Sequence, residues 1–183
     1  MKSKINKKEG FTMKTLPINA NNEELLSLIV EWNELLAQEK YTEAIDLILY
    51  DNTQEVDGKA WIWTPEKLEA AVFTYGMPWF SREQIEEQFG VGSADYKVTT
   101  LLPASENKLR DEFELSIEYF DNAITPDRAK LWGISKLDYE NIIGELLYNV
   151  PLNGTVSDLS AMFWIVKVNK TEITLLFRDL HVM

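Results

Sequence analysis

Asp158, Ser160, Asp179 and His181 are the residues whose types and spacing suggest chemistry. Asn169-Lys170 reads as a two-residue turn between two runs rich in strand formers, 160–168 and 171–182. Such a turn sets Lys167 against Glu172, an opposite-charge pair that supports the register. Val166 then faces Ile173, Trp164 faces Leu175 and Met162 faces Phe177, all on one side of the sheet. Beyond that apolar stripe, Ser160 falls opposite Asp179 and Asp158 opposite His181. An apolar lining that ends in a few convergent polar groups is the pattern of a ligand pocket. Asp158, Ser160, Asp179, His181 and Trp164 are therefore the pocket candidates. An aspartate opposite the single histidine would fix its tautomer. The two aspartates would form a pair suited to acid–base work or cation binding. The competing reading is that the sheet face simply turns polar where it leaves the core, with Ser157-Asp158 capping a turn.

Other chemistries are excluded or unsupported. The 183 residues contain no cysteine, so disulfides, thiolate metal sites and cysteine nucleophiles are ruled out. One histidine excludes multi-histidine metal centres. The eight glycines are scattered, and no phosphate loop or G-x-S-x-G elbow occurs. No cofactor, metal or catalytic residue is assigned.

The net charge of −12 argues against nucleic acid and anionic membranes; it reads either as an aid to solubility alone or, if charge selects a partner, as favouring a basic one. Glu83, Glu86 and Glu87 make a short acidic helix, and Glu112, Glu114 and Glu118 an acidic strand face. They read either as a solvated surface or as the electrostatic footprint of that partner. Met77-Pro78-Trp79-Phe80 is an apolar linker, which makes Trp79 and Phe80 the best candidates for an exposed apolar patch. Trp61, Trp63, Trp79, Trp132 and Trp164 would line either an aromatic pocket or the core.

The elements that must position these residues change period midway. Residues 21–40 carry Leu25, Leu28, Ile29, Trp32, Leu35 and Leu36 at helical spacing, behind an Asn cap and an acidic first turn. A shorter helix over 41–50 turns Ala44, Ile45, Ile48 and Leu49 inward. A polar loop at 51–59, with a turn at Asp57-Gly58, leads to an extended stub at 60–63. Thr64-Pro65-Glu66 is a cap, an N1 proline and an acidic first turn, and Gly76 is the expected C′ residue of the helix it opens. Ser81 with Gln84 forms a capping box for a helix ending at Gly90. Strands are expected at 96–102, 112–119, 130–134 and 142–150, before the final hairpin. Helices first and antiparallel strands after them predict an α+β fold, with N-terminal helices packed on a curved, mainly antiparallel sheet.

Residues 1–12 are compositionally foreign, with Lys2, Lys4, Lys7 and Lys8 against Glu9 alone. Lys7-Lys8-Glu9-Gly10 can be encoded with AAGGAGG, the purine run that bacterial ribosomes pair with. Met13 follows a few codons later, so the chain is expected to start there, in a bacterium. The competing reading is an ordinary disordered tail. In both, 13–183 is one α+β domain. No apolar run approaches a membrane span and no secretory h-region follows the basic start, so the expected location is cytoplasmic.

The order of the 21–40 helix, a shorter helix with Tyr41 and Ala44, the Trp61 stub, the Thr64-Pro65-Glu66 helix and strands to the end resembles the NTF2-like (cone) superfamily. The resemblance implies a cone whose open end holds a ligand, in binding proteins and in isomerases with an aspartate base. The helix at 81–90 departs from that pattern. The block Val150-Pro151-Leu152-Asn153-Gly154, Ser157-Asp158-Leu159-Ser160 and Asp179-Leu180-His181-Val182 resembles the C-terminal part of small uncharacterised bacterial domains, some found near toxin systems.

The first functional reading is a non-enzymatic bacterial protein-binding module, specifically an immunity-type protein that neutralises a basic toxin. The second is a small-molecule binder or cone-type enzyme using Asp158, Asp179 and His181. A deep cavity in which those side chains converge would favour the second; a filled core with acids on the outside would favour the first. The third is a homodimer, because Phe163, Ile165, Leu176, Leu180 and Val182 make the opposite face of the hairpin apolar as well.

Overall fold

The computed structural model describes residues 13–102 and 115–182. The expected tail at 1–12 and two of the acidic candidates, Glu112 and Glu114, lie outside the described residues.

A five-strand antiparallel path runs β1 (Leu16–Pro17), β8 (Glu172–Val182), β7 (Leu159–Lys167), β6 (Ile142–Asn149) and β5 (Leu115–Tyr119). β2 (Leu49–Tyr50) adds a short parallel pairing to β8, with Leu49 opposite Leu176 and Tyr50 opposite Phe177. A separate hairpin joins β3 (Glu55–Val56) to β4 (Lys59–Ala60). Its turn residues Asp57 and Gly58 both have positive φ, 52° and 71°, the requirement of a type I′ turn. The helices are α1 (Asn22–Ala37), α2 (Tyr41–Leu47), α3 (Pro65–Phe73), α4 (Arg82–Phe89) and α5 (Pro126–Leu131). The architecture is α+β, with a strongly curled antiparallel sheet.

α1 forms where its signals lie. Asn21 and Glu24 make a reciprocal capping box at 3.0 and 2.9 Å, and Leu25, Leu28, Ile29, Trp32 and Leu36 are buried on one face. That face meets the inner side of the sheet: Leu146, Tyr148, Ala161, Phe163, Ile165, Leu175, Phe177 and Leu180. Phe177 is the centre of this core. Its ring lies 4.9 Å from Tyr50 and Trp63 and 5.5 Å from Trp32 and Phe163.

A polar network lies inside the same core. Tyr148 Oη donates to Asn33 Oδ1 at 2.8 Å, and Asn33 Nδ2 donates to the Thr99 carbonyl at 3.0 Å. The Glu34 carboxylate accepts from the Leu101 amide and the Thr100 hydroxyl, each at 2.6 Å. Residues 98–101, expected to be a strand, are instead held by these side chains and by one bridge from Val98 to Leu152.

The outer side of the sheet has its own smaller core. Trp164, Val166, Leu176 and Ile142 pack against Ile124, Ala129 and Ile134 from the α5 segment. The strand expected at 130–134 is absent because α5 and its C-terminal turn take up those residues. Thr125-Pro126-Asp127 carries the same cap, N1 proline and acidic first turn as Thr64-Pro65-Glu66.

This second core corrects the premise of the dimer reading. Phe163, Ile165 and Leu180 face inward against the α1 side, while Leu176 lies outward and is covered by the chain itself. The chain thus covers Leu176 itself, while Val182 stays 43% exposed.

Candidate functional site

The final hairpin forms, but in a different register. Asn169 Oδ1 accepts from the Thr171 amide and hydroxyl at 2.8 and 3.0 Å, which draws Thr171 into the loop. The Val168 amide then donates to the Glu172 carbonyl, and Lys167 stands opposite Ile173 rather than Glu172. Glu172 turns to Thr15 and Asn169, whose hydrogen bonds hold its carboxyl below the usual range. This slip puts Ile173, Leu175 and Phe177 on the inner face and leaves Trp164 and Val166 with Leu176 and Thr174 on the outer one.

A bulge then inserts Arg178. Phe163 pairs with Phe177, but Met162 pairs with Asp179 and Ser160 with His181. The second one-residue shift restores the parity lost in the first. Ser160, Trp164, Asp179 and His181 thus share the outer face, as the sequence suggested, through different pairings.

They do not form a convergent site. Ser160 is buried and donates to Asn149 Oδ1 at 2.6 Å. His181 Nδ1 lies 3.2 Å from Asp179 Oδ2, within ion-pair distance but without hydrogen-bond alignment. The other Asp179 oxygen accepts from the Leu180 amide at 2.9 Å. Trp164 is stacked on Trp132 with centroids 5.6 Å apart. Asp158 goes elsewhere: its Oδ1 accepts from the Tyr75 hydroxyl.

That contact belongs to an open cleft of about 450 Å³, lined by Tyr75, Tyr96, Leu152, Asn153, Ser157 and Asp158 among others. The rings of Tyr75 and Tyr96 lie 4.7 Å apart, tilted by 33°. Helix α3 explains the placement of Tyr75. The Gly76 amide donates to the Ala71 carbonyl at 2.7 Å and the Tyr75 amide to Val72 at 3.2 Å, a complete Schellman motif. Tyr75, not Gly76, is its C′ residue, with φ of 58°. Gly76 is needed one position later, where φ is 88° and a Cβ would come 3.1 Å from the His181 Cα. A bulky residue in the left-handed region is a local cost that the Schellman bonds and the Tyr75 contacts offset. Tyr75 and Tyr96 carried no sequence signal of function; they come together with Asp158 only in the fold.

The partner-surface candidates cluster around α4. Ser81 and Gln84 make the expected capping box, and Gly90 ends the helix. Ser81 Oγ also donates to Glu83 at 2.8 Å, which holds that carboxyl below its usual range. Glu83 and Glu87 are exposed and Glu86 is half-buried. Trp79 is 61% exposed, and Phe80 is half-buried beside it. Phe89, the last residue of α4, and Val91 just past it are 59% and 96% exposed, a pair the sequence reading did not single out. α4 and the cleft are joined by residues 94–96: Arg82 holds the Ala94 carbonyl and Asp95, and Tyr96 packs against Tyr75.

Glu118 lies on the outer sheet face directly opposite Glu145. Burial first, and the Glu118 charge second, push the Glu145 carboxyl up, against an opposing effect of Arg128. No cluster of three histidine or acidic side chains able to hold a metal ion is formed among the described residues. Among those residues, no helix is long and apolar enough to cross a membrane. No family model, no curated protein and no solved structure matches this chain.

Proposed function

We propose that this chain is a non-enzymatic protein-binding module whose acidic α4, with the apolar residues around it, receives a basic partner. The observation that carries the reading is the exposure of Trp79, Phe89 and Val91 on either side of Glu83, Glu86 and Glu87. Single exposed apolar residues are ordinary, but three large ones bracketing an acidic helix fit an interface in which apolar anchors are ringed by charge. The net charge of −12 would speed encounter with a basic protein and set its orientation.

The filled interior is further support. Trp32, Trp63, Phe163 and Phe177 occupy the space inside the sheet that a cone-type ligand would need. Asp158 is engaged by Tyr75 while His181 lies beside Asp179, an arrangement that supports the binding reading over the small-molecule one. An immunity-type protein that neutralises a basic toxin in a bacterial cytoplasm is the specific form we propose.

The test is capture at low salt from an extract of the source cells, with wild type and an E83K/E86K/E87K variant side by side. The reading expects a basic protein retained by wild type, released by salt and lost from the variant. Retention of no basic protein, or equal retention by both, would overturn it.

A further inference from the structure

The geometry points to the Tyr75–Tyr96–Asp158 cleft as a receptor for one cationic side chain of the partner, an arginine guanidinium in particular. This rests on the reading of the chain as a binder of basic proteins, and it names the chemistry of one contact.

Three observations support it. First, the cleft presents two tyrosine rings, 4.7 Å apart, at its wall. The negative face of an aromatic ring attracts cations, and a planar guanidinium can stack on it. Second, Asp158 is exposed and engages Tyr75 through Oδ1 alone, which leaves Oδ2 for a donor from outside. A carboxylate beside aromatic faces matches the fork of arginine donors in both charge and shape. Third, the neighbouring lysine does not neutralise the site. Lys97 follows Tyr96 in the chain, but its ammonium lies 3.2 Å from Glu39. The Lys97 amide is in turn held by Asn153 Oδ1 at 2.9 Å, which fixes this wall of the cleft.

The position is also apt. Residues 94–96 connect the cleft to α4 through Arg82 and Asp95, 2.6 Å apart. One partner could therefore place an arginine in the cleft while its basic surface meets Glu83, Glu86 and Glu87. An anion is disfavoured by Asp158, and a neutral donor gains less from it than a cation does.

The experiment is a nuclear magnetic resonance titration of the full ¹⁵N-labelled chain with Nα-acetyl-argininamide, with the citrulline analogue as the neutral isostere. The proposal expects saturable shifts confined to Tyr75, Tyr96 and the amides of residues 153–158, and none with citrulline. Asp158→Asn, a change at an exposed side chain, should weaken binding at least fivefold while the rest of the spectrum is kept. Tyr96→Leu should weaken it to a similar degree. Equal shifts with citrulline, shifts elsewhere or no saturation overturn the cleft. If a basic protein is still captured in that case, the acidic-surface reading survives without it. Arginine binding in the cleft with no basic protein captured leaves the cleft standing and removes the larger reading.

Discussion

The hydroxyl of Tyr75 donates to the carboxylate of Asp158, 83 residues further along the chain. The bond ties the C-terminal turn of α3 to the turn that opens β7. Tyr75→Phe removes the donor but keeps the ring against Tyr96. Because Asp158 is exposed and can turn to water, the expected loss is about 1 kcal/mol, measured by urea denaturation. A loss of several kcal/mol would mean that the ring, not the hydroxyl, had been disturbed.

Gly76 and Gly58 both have positive φ, but only Gly76 is crowded. Gly58→Ala meets no atom within 4 Å and should cost only left-handed strain, about 1 kcal/mol. At Gly76 the same strain is joined by backbone atoms of His181 and Val182 at 3.1 and 3.4 Å. Gly76→Ala should therefore be the more damaging, and thermal melts of the two variants would show it.

The difference between those glycines also shows what the sequence could convey. Local signals were legible: the capping boxes of α1 and α4, the Thr64-Pro65 start of α3 and the Asp57-Gly58 turn all act within a few residues. The reading placed the left-handed residue of α3 at Gly76, because glycine is the usual choice there. A long-range approach to His181 uses up that glycine and shifts the cap onto Tyr75. The same holds for the hairpin. Asn169-Lys170 marked the turn, but the Asn169 side chain lengthened it and Arg178 bulged the strand. The outer-face set of Ser160, Asp179 and His181 survived only because two one-residue shifts restore parity. The Tyr75 partner of Asp158 was not legible, since Tyr75 comes from a helix that strand pairing alone could not place.

Glu145 faces Glu118 across a strand pair, and its carboxyl is pushed above the ordinary value of 4.5. In the window just above that value the folded chain holds more proton than the unfolded one, so this group lowers stability as pH rises through it. Glu145→Gln should flatten that part of the profile. At neutral pH it should stabilise the protein by roughly a few tenths of a kcal/mol, the scale of one cross-strand pair. Urea midpoints from pH 4 to 7 would check both statements, and a variant less stable than wild type at neutral pH would refute them.

Phe177 touches Trp32, Tyr50, Trp63 and Phe163 at once. Phe177→Ala would open a cavity where α1, β2 and the sheet meet, with an expected loss of about 3–5 kcal/mol. Denaturant unfolding measures it. A loss below 1 kcal/mol would show that the core collapses around the gap.

The central claim concerns α4 and its apolar flanks. Its most direct measurement is the dissociation constant of the captured basic protein for wild type, E83K/E86K/E87K and Trp79→Ser, at low and at physiological salt. The account predicts weakening by salt, at least tenfold weakening by the triple charge reversal, and a similar loss for Trp79→Ser that salt does not explain. Equal constants for all three proteins would contradict it.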